Sequence, residues 1–124
     1  MNDIKVLFKK THKDSKIPKY SHIGDSGADL YSIEGFELKP FGVYSVQVGI
    51  NIKLDNGVGY LITSNLVLAK HNVFVVADHV SVCGIEVFLA NFNKDKIIIG
   101  KGDVIAQICF IPFYKGHFIE LEGE

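Results

Sequence analysis

The run VYSVQVGINIKLD, residues 43–55, constrains this chain more than any other stretch. Tyr44, Val46, Val48, Ile50, Ile52 and Leu54 alternate with Ser45, Gln47, Gly49, Asn51 and Lys53. Successive side chains of a strand point to opposite faces, so this alternation predicts one long, half-buried β-strand. Asp55, Asn56 and Gly57 then favour a turn, because Asn and Gly tolerate positive φ, and 59–64 is expected to return as the partner strand. Apolar and β-branched runs at 4–9, 28–33, 73–76, 85–92, 97–99, 104–113 and 118–121 predict further strands, with turns at 93–96 and 100–103. Only Asn65–Lys70 predicts a helical turn. Many short strands with almost no helix predict an all-β barrel or jelly roll. No repeat, linker or low-complexity segment divides residues 1–124, so a single domain is expected.

Hydrophobic residues make up 48% of the chain, enough to fill a core, yet no segment is long and apolar enough for a membrane span. The N-terminus is polar and Lys-rich with no apolar signal-peptide core, which predicts an intracellular, cytoplasmic protein. Cys83 and Cys109 are expected to be buried thiols in a reducing compartment, with a disulfide or metal pair as the alternative. Histidines 12, 22, 71, 79 and 117 show no tight ligand spacing, so no metal cluster is proposed. A net charge of −1 argues against a general nucleic-acid binder. The charge is uneven: six Lys against Asp3 and Asp14 at 1–20, and Lys115 against Asp103, Glu120, Glu122 and Glu124 at 102–124. These are either solvated ends or ends that attract each other, within a chain or between subunits. All 13 basic residues are Lys. Arg, the side chain best built to grip phosphate through two parallel hydrogen bonds, is absent.

Four blocks carry a resemblance. IPKYSHIGDSGADLYS resembles the first motif of the trimeric dUTPases, where a proline, a Gly/Ser/Ala-rich turn and an Asp-Leu pair open a strand. FGVYSVQVGINIKLDNGVGYLI resembles their next segment, GIEVFLANFN the strand after their third motif, and IGKGDVIAQICF their fourth motif. The matched region covers about residues 17–112. The resemblance implies a distorted jelly-roll or β-clip barrel assembled as a homotrimer, with active sites between subunits. It implies cleavage of dUTP to dUMP and pyrophosphate by water attack on the α-phosphorus, with magnesium orienting the phosphates. Asp29 matches the first-motif acid, which reaches magnesium through water. Gln107 matches the fourth-motif Gln, which helps to hold phosphates and water.

The departures fall on the chemistry. The family's second motif reads P-R-S-G-L-A; anchoring on Lys70–His71 sets Thr63, Ser64, Asn65 and Leu66 against its first four positions. Ser64 and Asn65 are then the candidate phosphate-cleft residues, with no cation left, and Leu66 brings a side chain where phosphate needs bare backbone. The third motif, G-V-I-D-x-D-Y-x-G, builds the hairpin that admits uracil. In VVADHVSVCGIEV, counting back from the following strand makes Asp78 the candidate catalytic acid and puts Ser81 at the Tyr position. Counting forward puts Ser81 at the acid, with about three residues missing. Neither register supplies the Tyr. The fifth motif, a glycine-rich tail carrying Arg, is expected to be absent, since FIELEGE stands where it would begin.

Asp29 therefore has two readings, a turn residue capping its own backbone or a surviving magnesium contact. Asp78 and His79, as neighbours in a strand, would point to opposite faces; a surface turn is expected there. The expected function is a viral- or phage-type pseudoenzyme, a dUTPase scaffold serving as an interaction or regulatory module for a host protein. One alternative is a divergent, magnesium-dependent dUTP diphosphatase of nucleotide metabolism, with Lys70 and Lys101 nearest the missing arginines. The other is a non-catalytic protein that sequesters a deoxyuridine nucleotide.

Overall fold

The computed structural model describes residues 3–123. Ten strands and one helical turn follow in the order β1 Leu7–Lys10, β2 Ala28–Tyr31, β3 Phe36–Leu38, β4 Val43–Gln47, β5 Ile50–Lys53, β6 Val58–Ser64, α1 Leu66–Lys70, β7 Val73–Ser81, β8 Gly84–Asn91, β9 Ile97–Ile99 and β10 Val104–Pro112. They form four small antiparallel sheets, β2-β10-β6, β4-β8-β7, β1-β5 and β3-β9. The architecture is all-β and of the jelly-roll kind, but the sheets do not close into a barrel.

The alternating run keeps its buried face and loses its continuity. Val46, Val48 and Ile50 are buried within 1% of full burial, as the pattern requires. Gly49, at φ 78°, breaks the run, so that its first half pairs with β8 and its second with β1. A side chain at Gly49 would meet Ile33 and Ser15 at 2.9 Å, so only glycine lets the chain cross between sheets here. The turn at 55–57 forms, with Val58 N–H donating to the Asp55 carbonyl and Gly57 at φ 82°. It does not make the expected hairpin, because β6 pairs along its whole length with β10.

The core joins the sheets through Leu30, Leu38, Val73, Ile85, Val87, Leu89, Ile105 and Ile108, all nearly inaccessible. Buried Asn91 is fully engaged there: its Nδ2 donates to the carbonyls of Leu38, Lys39 and Asp95, and its Oδ1 accepts from Asn93. Helix α1 is one turn, started by Asn65, whose Oδ1 accepts from Leu68 N–H at 3.1 Å.

Several expectations are corrected. The first strand begins at Leu7, later than expected, and the second ends at Tyr31. Strand β7 runs on to Ser81, so Asp78 and His79 lie in a strand and the turn falls at Val82–Cys83. The segment 118–121 pairs with nothing among the described residues. Strand β3 was not expected; three residues are too few to show a period. The cysteines are free, but they are not buried as expected: Cys83 is exposed on a hairpin tip and Cys109 is half-buried on β10. Among the described residues, no helix is long and apolar enough to cross a membrane.

Candidate functional site

The register of the three-stranded sheet puts Asp29 of β2 opposite Gln107 of β10, and Gln107 opposite Thr63 of β6. Residues paired across strands share a face, so Asp29, Gln107 and Thr63 form one polar row. Asp29 is 8% exposed and accepts a hydrogen bond from the Ser21 hydroxyl, while its N–H donates to the Lys19 carbonyl at 2.6 Å. The aspartate thus binds residues 19–21 onto the sheet and still presents a carboxylate beside Gln107. A side chain at Gly27 would meet Gln107 Oε1 at 2.9 Å. The glycine of GDSGAD is therefore the seat of the Gln107 amide, which joins the first and last quoted motifs physically.

Ser64 does not join this row. It stands opposite Ala106, whose side of β10 faces the core, one residue out of phase with Gln107. Its Oγ accepts from Val75 N–H at 3.0 Å and links β6 to β7. Asn65 caps α1, and Leu66 is 64% exposed, turned to solvent and not plugging a cleft. Of the lysines considered as substitutes for Arg, Lys101 is 3.0 Å from Asp14, and its ammonium holds that carboxyl below the usual range. Lys70 sits in the last turn of α1, where a cation complements the helix end.

Asp78 belongs to a different sheet, on β7 opposite Val87 of β8. Burial, and to a smaller degree the charge of Asp78, raises the pKa of the Tyr60 phenol, which shares Ser64's face of β6. His79 faces Glu86 instead, at 3.7 Å, so Asp78 and His79 do point apart. Tyr60 lies within the expected strand 59–64, and the approach of β6 to β7 is a long-range contact that no local pattern reveals.

The hairpin of β7 and β8 is paired down to its tip, Ser81 opposite Gly84, with one irregularity between Val75 and Ala77. The tip is fastened to the body: Thr11 Oγ1 donates to the Cys83 carbonyl at 2.7 Å, and a side chain at Gly84, φ 107°, would lie 2.6 Å from the Ile50 carbonyl oxygen.

Among the described residues, no group of three or more His, Cys, Asp or Glu is arranged to hold a metal ion. Magnesium keeps several waters and takes one or two carboxylates plus substrate phosphates. Asp29, a single carboxylate shared with Ser21, fits a contact through water to magnesium carried by phosphates.

The dUTPase family model matches residues 13–123. The deoxyuridine 5'-triphosphate nucleotidohydrolase of Helicobacter pylori strain P12 is 34% identical over 125 residues, covering 96% of this chain and 86% of the relative. That of Hydrogenobaculum sp. strain Y04AAS1 is 34% identical over 124 residues, covering 94% and 86%. Among solved structures, the dUTPase of Staphylococcus bacteriophage 80alpha superposes with a TM-score of 0.84 at 18% identity, covering 97% of each chain. That of phage phi11 of S. aureus does so with a TM-score of 0.84 at 17% identity and the same coverage. The jelly roll is the fold that these dUTPase structures share. The chain belongs to the dUTPase family.

Proposed function

We propose that this family member is a homotrimeric scaffold that no longer turns over dUTP and acts as an interaction module for a protein partner. One observation carries the reading. The groups at the positions of the phosphate grip and base pocket are engaged inside the fold: Ser64 on Val75, Asn65 on the start of α1, and the hairpin tip on Thr11. No Arg exists to replace them. Removing one charged contact to a transferring phosphate typically lowers the rate about a hundredfold or more, so several missing contacts remove useful turnover. The 80alpha dUTPase is described as controlling transfer of virulence genes by a G protein-like mechanism, which supports a regulatory role for the same fold.

A second reading has its own support: Asp29 and Gln107 remain side by side, and the relatives at 34% identity are named as the hydrolase. An active protein would need magnesium, which neutralises and aligns the phosphates when bound. Asp29 would hold it through water, Gln107 would orient the triphosphate, and Asp78 of another subunit would position the attacking water. A structural magnesium is described for the phi11 neighbour. Pyrophosphate release from dUTP with magnesium separates the readings. The scaffold reading expects no release above background, and turnover of about 1 per second, within the ordinary enzyme range, overturns it. If turnover appears, Asp78→Asn is expected to abolish it.

A further inference from the structure

Three turns meet at the end of the β4-β8-β7 sheet away from the hairpin tip, and an asparagine network holds them together. Asn91 Nδ2 donates to the carbonyls of Leu38 and Lys39, where the chain turns into β4. Asn91 Oδ1 accepts from Asn93, whose Nδ2 also donates to the His71 carbonyl at 2.6 Å, at the corner between α1 and β7. Asn91 N–H donates to the Gly42 carbonyl and Phe92 N–H to the Asn72 carbonyl, so the turns at 39–42, 70–72 and 92–96 form one platform.

The platform presents apolar groups to water. Val43, Ala90 and Phe74 stand opposite one another in β4, β8 and β7, and alternate with Tyr44, Leu89 and Val75 on the core side. They therefore lie on the sheet's outer face, where a solvated strand is expected to be polar. Phe92, two residues beyond Ala90, packs on the Phe74 ring with 5.8 Å between centroids. Val43 is 61% exposed, Phe92 56% and Phe41 72%. Phe41 is also strained. Gly42 N–H donates to the Lys39 carbonyl at 2.9 Å, closing a β-turn with Phe41 at its third position and φ 55°. A left-handed φ there favours glycine or asparagine. A bulky ring held in that backbone and left in water does not serve the core.

Cations surround these groups. Lys39, Lys70 and Lys94 belong to the three turns, are exposed, and make no ion pair among the described residues, whereas Lys96 is taken by Glu37. Asp95 is the one carboxylate of these turns, so the surplus is positive. An apolar centre with a cationic rim fits a segment of the complementary pattern. Val43 and the tilted Phe74–Phe92 pair offer no run of open ring faces on which bases stack, and the chain's net charge is −1, so a peptide suits the patch better than a nucleic acid.

We propose that this end of the sheet docks an acidic linear segment of a partner protein, with an apolar side chain against Phe41 and Phe92 and carboxylates at Lys39, Lys70 and Lys94. The proposal rests on the interaction-module reading above, gives that reading a surface and a partner chemistry, and is independent of whether dUTP is turned over.

The probe is a display library of short random peptides panned on the protein, with the selected peptides resynthesised and titrated. They are expected to carry Asp or Glu around a Phe, Leu or Trp. Phe41→Gly is expected to weaken their binding about tenfold or more while keeping or raising the thermal midpoint, since it relieves the turn and removes nothing from the core. Lys39→Glu with Lys94→Glu is expected to lose these peptides and to bind versions with Lys in place of each acid. An unenriched library, selected peptides without acids, or equal binding by the variants overturns the proposal and leaves the scaffold reading standing. A lower mass of Phe41→Gly in light scattering makes the patch a contact between copies, and tighter binding of oligothymidylate than of any peptide makes it a nucleic-acid surface; either overturns the proposal too. Peptide binding with the expected losses, in a protein that does turn over dUTP, supports the proposal and overturns the loss of catalysis alone.

Discussion

Two side chains show how single residues divide between fold and chemistry. Asn91 gives its amide hydrogens to three backbone carbonyls in the interior. Truncation leaves these buried acceptors without a partner, so Asn91→Ala is expected to lose about 2–3 kcal/mol of stability in urea unfolding. Anchoring the second motif on Lys70–His71 sets Ser64 against the family's Arg, but its hydroxyl holds β7 on the core-facing side of β6. Ser64→Arg is therefore expected to lower stability by about 1 kcal/mol, read from the thermal midpoint, and to create no dUTP turnover. A gain of turnover would show that the face assigned to Ser64 is wrong. The neighbourhood of Asp29 and Gln107 was legible in the sequence, because both lie in motifs whose spacing survives. The facing of Ser64 was not, since it depends on how β6 registers against β10.

At the level of elements, the hairpin tip is the most constrained turn. Gly84 combines a left-handed φ with a carbonyl that would sit 2.6 Å from any added carbon. Gly84→Ala is expected to cost about 2–4 kcal/mol and to speed amide hydrogen exchange at residues 80–86. An unchanged exchange pattern would mean that the tip is not anchored to β5. The alternating run at 43–55 revealed its buried face in advance because burial follows side-chain parity. Its division at Gly49 and the pairing of β6 with β10 are decisions of long range, made by Ser15, Ile33 and β8, which local alternation does not encode. The same holds for β7, whose exposed half reads as a loop in sequence and becomes a strand only because β8 pairs with it.

For the whole molecule, the all-β class and the family were legible from the motifs, while the shape of the surface was not. The resemblance placed Ser64, Asn65, Asp78, Asp29 and Gln107 in one site; the fold pairs Asp29 with Gln107, turns Ser64 to the other face of β6, uses Asn65 to cap α1 and puts Asp78 on β7 in a different sheet. The proposed homotrimer is tested by its mass. Light scattering is expected to give three times the 13.7 kDa chain mass, and a monomer at every concentration would contradict it. The central claim is that the groups facing a triphosphate in the family are here engaged within the fold. Its most direct test is calorimetric titration of the assembled protein with a non-hydrolysable dUTP analogue and magnesium. The account predicts no saturable heat up to about 1 mM ligand, whereas stoichiometric binding with a Kd of about 1 μM, near −8 kcal/mol, would contradict it.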